Sequence, residues 1–270
     1  MLSSQRIGAV VVKELAELGR NRMALVPVVL LAVFAVAFPF AIAIVLPLAF
    51  GEPLSSDPEF ARAVQRASVD GALAALSDEG AIQAFVFQQF LLMQLLIPVT
   101  GAMAFAGYSL IGEKQGRSLE PLLATPITTA ELLVAKGLGA LLPSLGIMLA
   151  AVLVFLGGIW ALAEPGVYRA VLNARTGLLV LAVGPAAALV SLQLAVLVSS
   201  RVNDPRTAQQ FGALLILPLT ALFVMQFNGA LTLTTPAILV VLGALVLVWI
   251  VLVLAGVAIF AREAILTRWK

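Results

Sequence analysis

The chain has 270 residues, 62% of them hydrophobic and 11% charged, with a formal net charge of +2, and its mean hydropathy is +1.10. Soluble domains carry roughly 45–50% apolar and about 25% charged residues, so this composition excludes a water-soluble globular fold; the basic residues lie near the ends of apolar runs, which argues against a nucleic-acid partner. Cysteine and histidine are both absent, which removes disulfides, Cys-based metal sites, thiolate nucleophiles and the commonest general base and metal ligand.

Residues 1–22 place Ile7, Val11, Leu15 and Leu18 at helical spacing, with Lys13, Glu14, Glu17 and Arg20 elsewhere on the wheel. This pattern predicts an amphipathic helix lying in the membrane surface; a solvated lead-in is the plainer alternative. The first apolar run, Met23–Phe50, exceeds a signal-peptide core of about 7–15 residues and reads as a retained span. Crossing the hydrocarbon takes about 20 apolar residues in a helix. The runs read as crossings are Met23–Phe50, Ala81–Ile111, Leu132–Leu162, Thr176–Ser199, Phe211–Phe227 and Pro236–Phe260. The fifth is the shortest and is followed by the polar turn Asn228-Gly229. The second and third are longer than a simple crossing, which predicts tilt, cytoplasmic extension or kinks at Pro98 and Pro143. No run alternates polar with apolar residues, so a barrel is excluded. The predicted fold is an all-α membrane protein with six transmembrane helices over 23–270, preceded by the interface helix of residues 1–22.

Between the runs lie an external segment, 51–80, and two inner loops, 112–131 and 199–210. Asp57-Pro58 is a helix-start signal in the first of these, which is too small for a receptor or catalytic domain. With the N-terminus inside, Arg62, Arg66, Arg169 and Arg175 fall outside and the other 12 of the 16 basic residues fall inside. That asymmetry sets the orientation, and an even number of crossings returns the C-terminus to the cytoplasmic side. The expected location is the cytoplasmic (inner) membrane.

Such a chain has little chemistry of its own. No acidic or basic residue lies deep in a run, where a charge would mark a proton or ion route; Lys136, near the inner end of the third, is expected to snorkel. The Gly112–Ser118 string GEKQGRS has three residues between its glycines and Arg where a phosphate-binding Lys belongs, so it is not an ATP-binding loop. No catalytic, metal or cofactor-binding residue is expected, and the chain is not read as an enzyme.

The segment Gly112–Lys136 is the most informative. Glu113, Lys114 and Arg117 form a charged cluster, and Ser118, Leu119, Glu120, Leu122 and Leu123 predict a helix of one or two turns. Thr125-Pro126 ends it, since a residue before proline avoids helix. Thr128 or Thr129 then caps the next helix, with Glu131 in its first turn. A short cytoplasmic helix must bury Leu119 and Leu122 against something, either its own bundle or a docking partner.

This string resembles the loop of the ABC-2 type permease family, the membrane subunits of ATP-binding-cassette exporters. Glu113, Lys114, Gly116, Leu119, Glu120, Leu122, Leu123, Thr125 and Pro126 match; Arg117 is an extra residue and Ser118 stands where Thr is usual. The likeness extends to Glu131 and Lys136, to Ser199–Gln210 and to Phe260–Glu263. It implies a permease that pairs with a second copy or a paralogue and binds two separate ATPase subunits. ATP and magnesium would be used in those partners. It further implies a coupling helix docked through Glu113, Arg117, Leu119, Glu120, Leu122, Leu123, Thr125 and Pro126, and export of a lipid-like, drug-like or other amphiphilic substrate. A non-transporting anchor of an ATPase complex and an independent carrier are the alternatives.

A possible substrate path runs along the second crossing, where Gln88, Gln89 and Gln94 stand among Phe85, Phe87, Phe90 and Met93. Uncharged amides among aromatic rings suit an amphiphile. The same glutamines could instead hydrogen-bond neighbouring helices.

Overall fold

The computed structural model describes residues 3–67, 73, 75–116, 128–201, 205–227 and 234–267. Among them there is no strand, and the helices follow the sequence signals closely. Helix α1 is Ser4–Arg20. A single residue, Asn21, separates it from α2, Arg22–Phe50. The Asn21 side chain accepts a hydrogen bond from the Ala24 amide at 3.2 Å, so it caps α2 just as α1 ends.

Helix α2 contains a π-helical turn at Ala41–Val45, placed between Pro39 and Pro47, which cannot donate to the regular ladder. The segment after α2 holds a short helix, α3, Pro58–Ala67, starting where Asp57-Pro58 predicts it. Ser77 then caps α4, Asp78–Gln94, by accepting from the Gly80 amide. The kink expected at Pro98 is real: α4 stops at Gln94 and α5, Leu96–Gly116, takes over. Pro98 has no N–H to offer the Gln94 carbonyl four residues back, which is the physical reason for the break. Pro143 behaves differently. Helix α6, Thr129–Leu162, runs through it unbroken.

Beyond α6, a short helix α7, Val167–Val171, leads into α8. That helix runs from Ala174 through a π-helical turn, Leu179–Val183, to Arg201. Helix α9 is Pro205–Phe227 and α10 is Thr235–Thr267. The segment drawn from sequence as a loop at 199–210 is therefore mostly helix, because Pro205 is well suited to the first helical position and starts α9 early.

Five of these helices are long and apolar enough to cross a membrane: Arg22–Phe50, Asp78–Gly112, Glu131–Leu162, Ala174–Ser199 and Thr235–Gly256. The chain is a multi-pass membrane protein. In α9 the described apolar stretch is shorter, Ile216–Gln226.

The α4–α5 unit forms the centre: 83% of its most apolar window is buried, against 6% for α10. Helices α2, α6, α8 and α9 surround α5. Close contact needs small residues, and Gly101 shows why: a Cβ there would stand 2.8 Å from the Cβ of Ser144 on α6. Beside the π-helical turn of α2 the rings of Phe40, Phe87 and Phe155 meet at centroid distances of 5.0–5.7 Å, in tilted and edge-on geometries that such rings prefer.

Candidate functional site

Two helix ends bracket the segment that the sequence singles out for docking. Helix α5 runs to Gly116 and contains Glu113 in its last turn. Arg117, Leu119, Glu120, Leu122, Leu123, Thr125 and Pro126 lie outside the described residues. On the far side the chain re-enters helix at Thr129. Thr128 is the cap: its hydroxyl accepts from the Glu131 amide at 3.2 Å, and the Glu131 carboxylate accepts from the Thr128 amide at 2.9 Å. This reciprocal pair satisfies two of the amides that a helix start leaves open.

Glu131 has a second role that the sequence does not announce. Its other carboxylate oxygen accepts from the Ser3 amide at 2.7 Å, and the Arg6 guanidinium lies 3.6 Å from the oxygen that accepts from Thr128. The start of α1 is thereby held on the start of α6. One turn further along α1, Val10 packs with Leu132 and Ala135 in an apolar cluster bordered by Ile7 and Val11.

Beyond that patch a charged group is buried where the helical wheel places a polar, outward face. Glu14 is 6% exposed and Lys136 is 5% exposed, with Lys136 Nζ 3.0 Å from Glu14 Oε1. Lys136 also donates to Ser109 Oγ at 2.9 Å, and that hydroxyl donates to Glu14 Oε2 at 2.6 Å. Lys136 therefore does not snorkel. It is neutralised in place by a carboxylate from another helix, the usual condition for a buried charge. Leu15, counted on the apolar stripe, is instead 39% exposed, so the buried face of α1 is rotated toward Val10 and Glu14.

Gly139, one turn after Lys136, makes this approach possible: a Cβ there would stand 2.7 Å from the Glu14 Cβ. A cavity of about 350 Å³ opens beside the triad, lined by Lys13, Glu17, Asn21 and Tyr108 as well as Glu14 and Ser109. Only the Glu131 cap was visible in sequence; Ser3, Arg6, Glu14 and Ser109 carry no local signal.

Among the α4 glutamines singled out from sequence, Gln89 and Gln94 are buried and Gln88 is partly exposed. Phe85 is 2% exposed. Gln88 Nε2 donates to the Ala170 carbonyl at 3.0 Å, and Gln94 Nε2 to the Ala35 carbonyl at 3.2 Å. Both thus tie α4 to neighbouring elements. The side-chain oxygens of Gln89 and Gln94 are buried with no hydrogen-bond partner among the described residues. Gln83, not singled out from sequence, accepts from the Glu164 amide at 2.9 Å. A second cavity, about 480 Å³, lies between Pro47, Pro53, Glu79, Gln83 and Glu164. Neither cavity is lined by Phe85, Gln88, Gln89 or Gln94. No group of three or more metal-ligating acidic side chains occurs among the described residues.

A family model described as ABC-2 family transporter protein matches residues 8–239. The chain belongs to this family. The match takes in α1 from Gly8 onward, the 117–127 segment and α2 through α9, with the start of α10. No curated protein and no solved structure gives a significant match. An ABC-2 membership makes this multi-pass chain a permease, the membrane subunit of an ABC transporter.

Proposed function

We propose that this ABC-2 permease exports an amphiphilic substrate, lipid-like or drug-like, using ATP hydrolysed with magnesium by two separate ATPase subunits. A second copy of the chain, or a paralogue, completes the transport unit. The observation that carries this reading is the family match across residues 8–239, because it encloses the string from Glu113 to Pro126 that resembles the family's loop.

In this reading six helices cross the membrane and both ends are cytoplasmic. Helix α9 supplies the sixth crossing: its 23 residues span about 35 Å at 1.5 Å per residue, enough for a hydrocarbon core of about 30 Å. The amphipathic α1 lies at the inner surface beside the coupling helix. Leu119, Leu122 and Leu123 enter a cleft on the ATPase, with Glu113, Arg117, Glu120, Thr125 and Pro126 around them. Burying a leucine contributes roughly 1.5–3 kcal/mol, so a pair of them supplies much of a modest interface.

The test is copurification of the ATPase together with ATP hydrolysis by the complex. Leu122→Arg or Leu123→Glu should release or uncouple the ATPase while the chain still inserts, because a desolvated charge costs more than the lost contact. Glu120→Lys should act in the same direction if it meets a basic group. Arg206→Ala, in the other inner segment, should be milder. Normal copurification and hydrolysis in Leu122→Arg would sink the coupling role. Hydrolysis that no amphiphile stimulates would favour a non-transporting anchor.

A further inference from the structure

We infer that the Glu14–Lys136 pair and the Glu131 clasp make α1 and the cytoplasmic end of α6 a single moving part, so that motion entering through the 117–127 loop reaches α2 as well as α6. The inference rests on the permease reading above and assigns Glu14, Lys136 and Ser109 as positioning residues for energy coupling.

Two separated attachments carry the argument. One contact lets a rod pivot; two fix its direction. Arg6 and Glu14 are eight residues apart, about 12 Å along a helix, and Glu131 and Lys136 are about 7.5 Å apart along theirs. Between the attachments lies the Val10, Leu132 and Ala135 patch. Apolar contact alone tolerates sliding, whereas an ion pair with a shared serine fits one register only. Gly139 removes the side chain that would hold the helices apart.

The ends of this unit face the places between which force must pass. Helix α6 begins at Thr129, directly after the 117–127 loop. Helix α1 ends at Arg20 and α2 begins at Arg22, so a one-residue elbow at Asn21, itself the α2 cap, joins the unit to the first crossing. A loop displacement that tilts the start of α6 therefore tilts α1 and moves the inner end of α2 with it.

The natural lack of cysteine permits a direct test. Val10→Cys and Leu132→Cys, introduced together, are joined by a short bifunctional methanethiosulfonate in the assembled complex in lipid nanodiscs, and vanadate-sensitive ATP hydrolysis is followed. If α1 and α6 move as one, hydrolysis is unchanged by the cross-link. Loss of hydrolysis on cross-linking, restored by reductant, would mean that the helices part in each cycle and would overturn the inference. In a second arm, Lys136→Met should speed amide hydrogen exchange over residues 4–20 in the isolated chain and lower hydrolysis with the ATPase still bound. The charge exchange Glu14→Lys with Lys136→Glu should restore both. Full protection of 4–20 and full hydrolysis in Lys136→Met would refute it. Failure of any ATPase to bind the unmodified chain would instead sink the permease reading, while the exchange experiment would still decide whether the clasp exists.

Discussion

Lys136 Nζ and Glu14 Oε1 stand 3.0 Å apart although 122 residues separate them in the chain. A charge buried to that depth is costly without a partner, and Ser109 bridges the two by accepting from Lys136 and donating to Glu14. The pair is therefore a conditional feature: each charge is acceptable because the other helix brings its counter-charge.

That dependence predicts an asymmetric response to mutation. Lys136→Met leaves the Glu14 carboxylate with the Ser109 hydroxyl and, at 4.0 Å, the more exposed Lys13 ammonium, and breaking one side of a buried pair costs about 3–5 kcal/mol. Glu14→Gln together with Lys136→Met should cost less than the sum of the single changes. Thermal unfolding of the purified chain in detergent provides the comparison; strictly additive losses would show that the two side chains are not coupled.

Gly139 offers a test of close approach that involves no charge. Gly139→Ala places a Cβ 2.7 Å from the Glu14 Cβ, an overpacking that costs about 1–3 kcal/mol. Better helix propensity returns only about 1 kcal/mol, so net destabilisation is expected. Gly146, on the same helix, has nothing within 4 Å of its would-be Cβ, and Gly146→Ala should leave the unfolding temperature unchanged or slightly raised. Equal effects at the two positions would argue against tight α1–α6 packing.

The α4 glutamines separate packing from passage. Gln88→Leu removes a bond to the Ala170 carbonyl, which keeps a partner in Asn173 Nδ2 at 2.9 Å. A loss of about 1 kcal/mol, the worth of an ordinary hydrogen bond, is expected. Gln89→Leu deletes a buried oxygen without a described partner, and leaving such a group unpaired costs about 1–3 kcal/mol, so this variant should be neutral or more stable. Gln94→Leu deletes a similar oxygen but also gives up the bond from Nε2 to the Ala35 carbonyl, worth about 1 kcal/mol, so its gain should be smaller. If Gln89→Leu keeps stability and assembly but alters stimulation of ATP hydrolysis by amphiphiles, that oxygen serves the substrate. Unaltered stimulation would confine it to packing.

Topology can be checked without a background of native thiols. Single cysteines at Ser68 and Ser77 should react with an impermeant thiol reagent on intact cells, and those at Ser118 and Thr207 only after permeabilisation. External labelling of Ser118→Cys would overturn the orientation drawn from the basic residues.

What the sequence determined by itself is the membrane class, the apolar runs and several helix ends. Apolar length answers to the thickness of the hydrocarbon, and the Thr128–Glu131 capping pair answers to amides within three residues, so both are local and legible. The break before Pro98 belongs with them, since the missing N–H is fixed by the covalent structure. The family loop was legible as well, as a string from Glu113 to Pro126. Tertiary structure alone decided which polar residues turn inward. On the wheel of α1, Glu14 looks like a solvated charge, and Lys136 looks like a lysine reaching for the interface. Their burial depends on the rotation of one helix against another and on Gly139 letting the backbones meet. The same holds for Gln88 and Gln94, whose partners are the carbonyls of Ala170 and Ala35. Every backbone offers such carbonyls, and which one lies within reach is settled only when the helices pack.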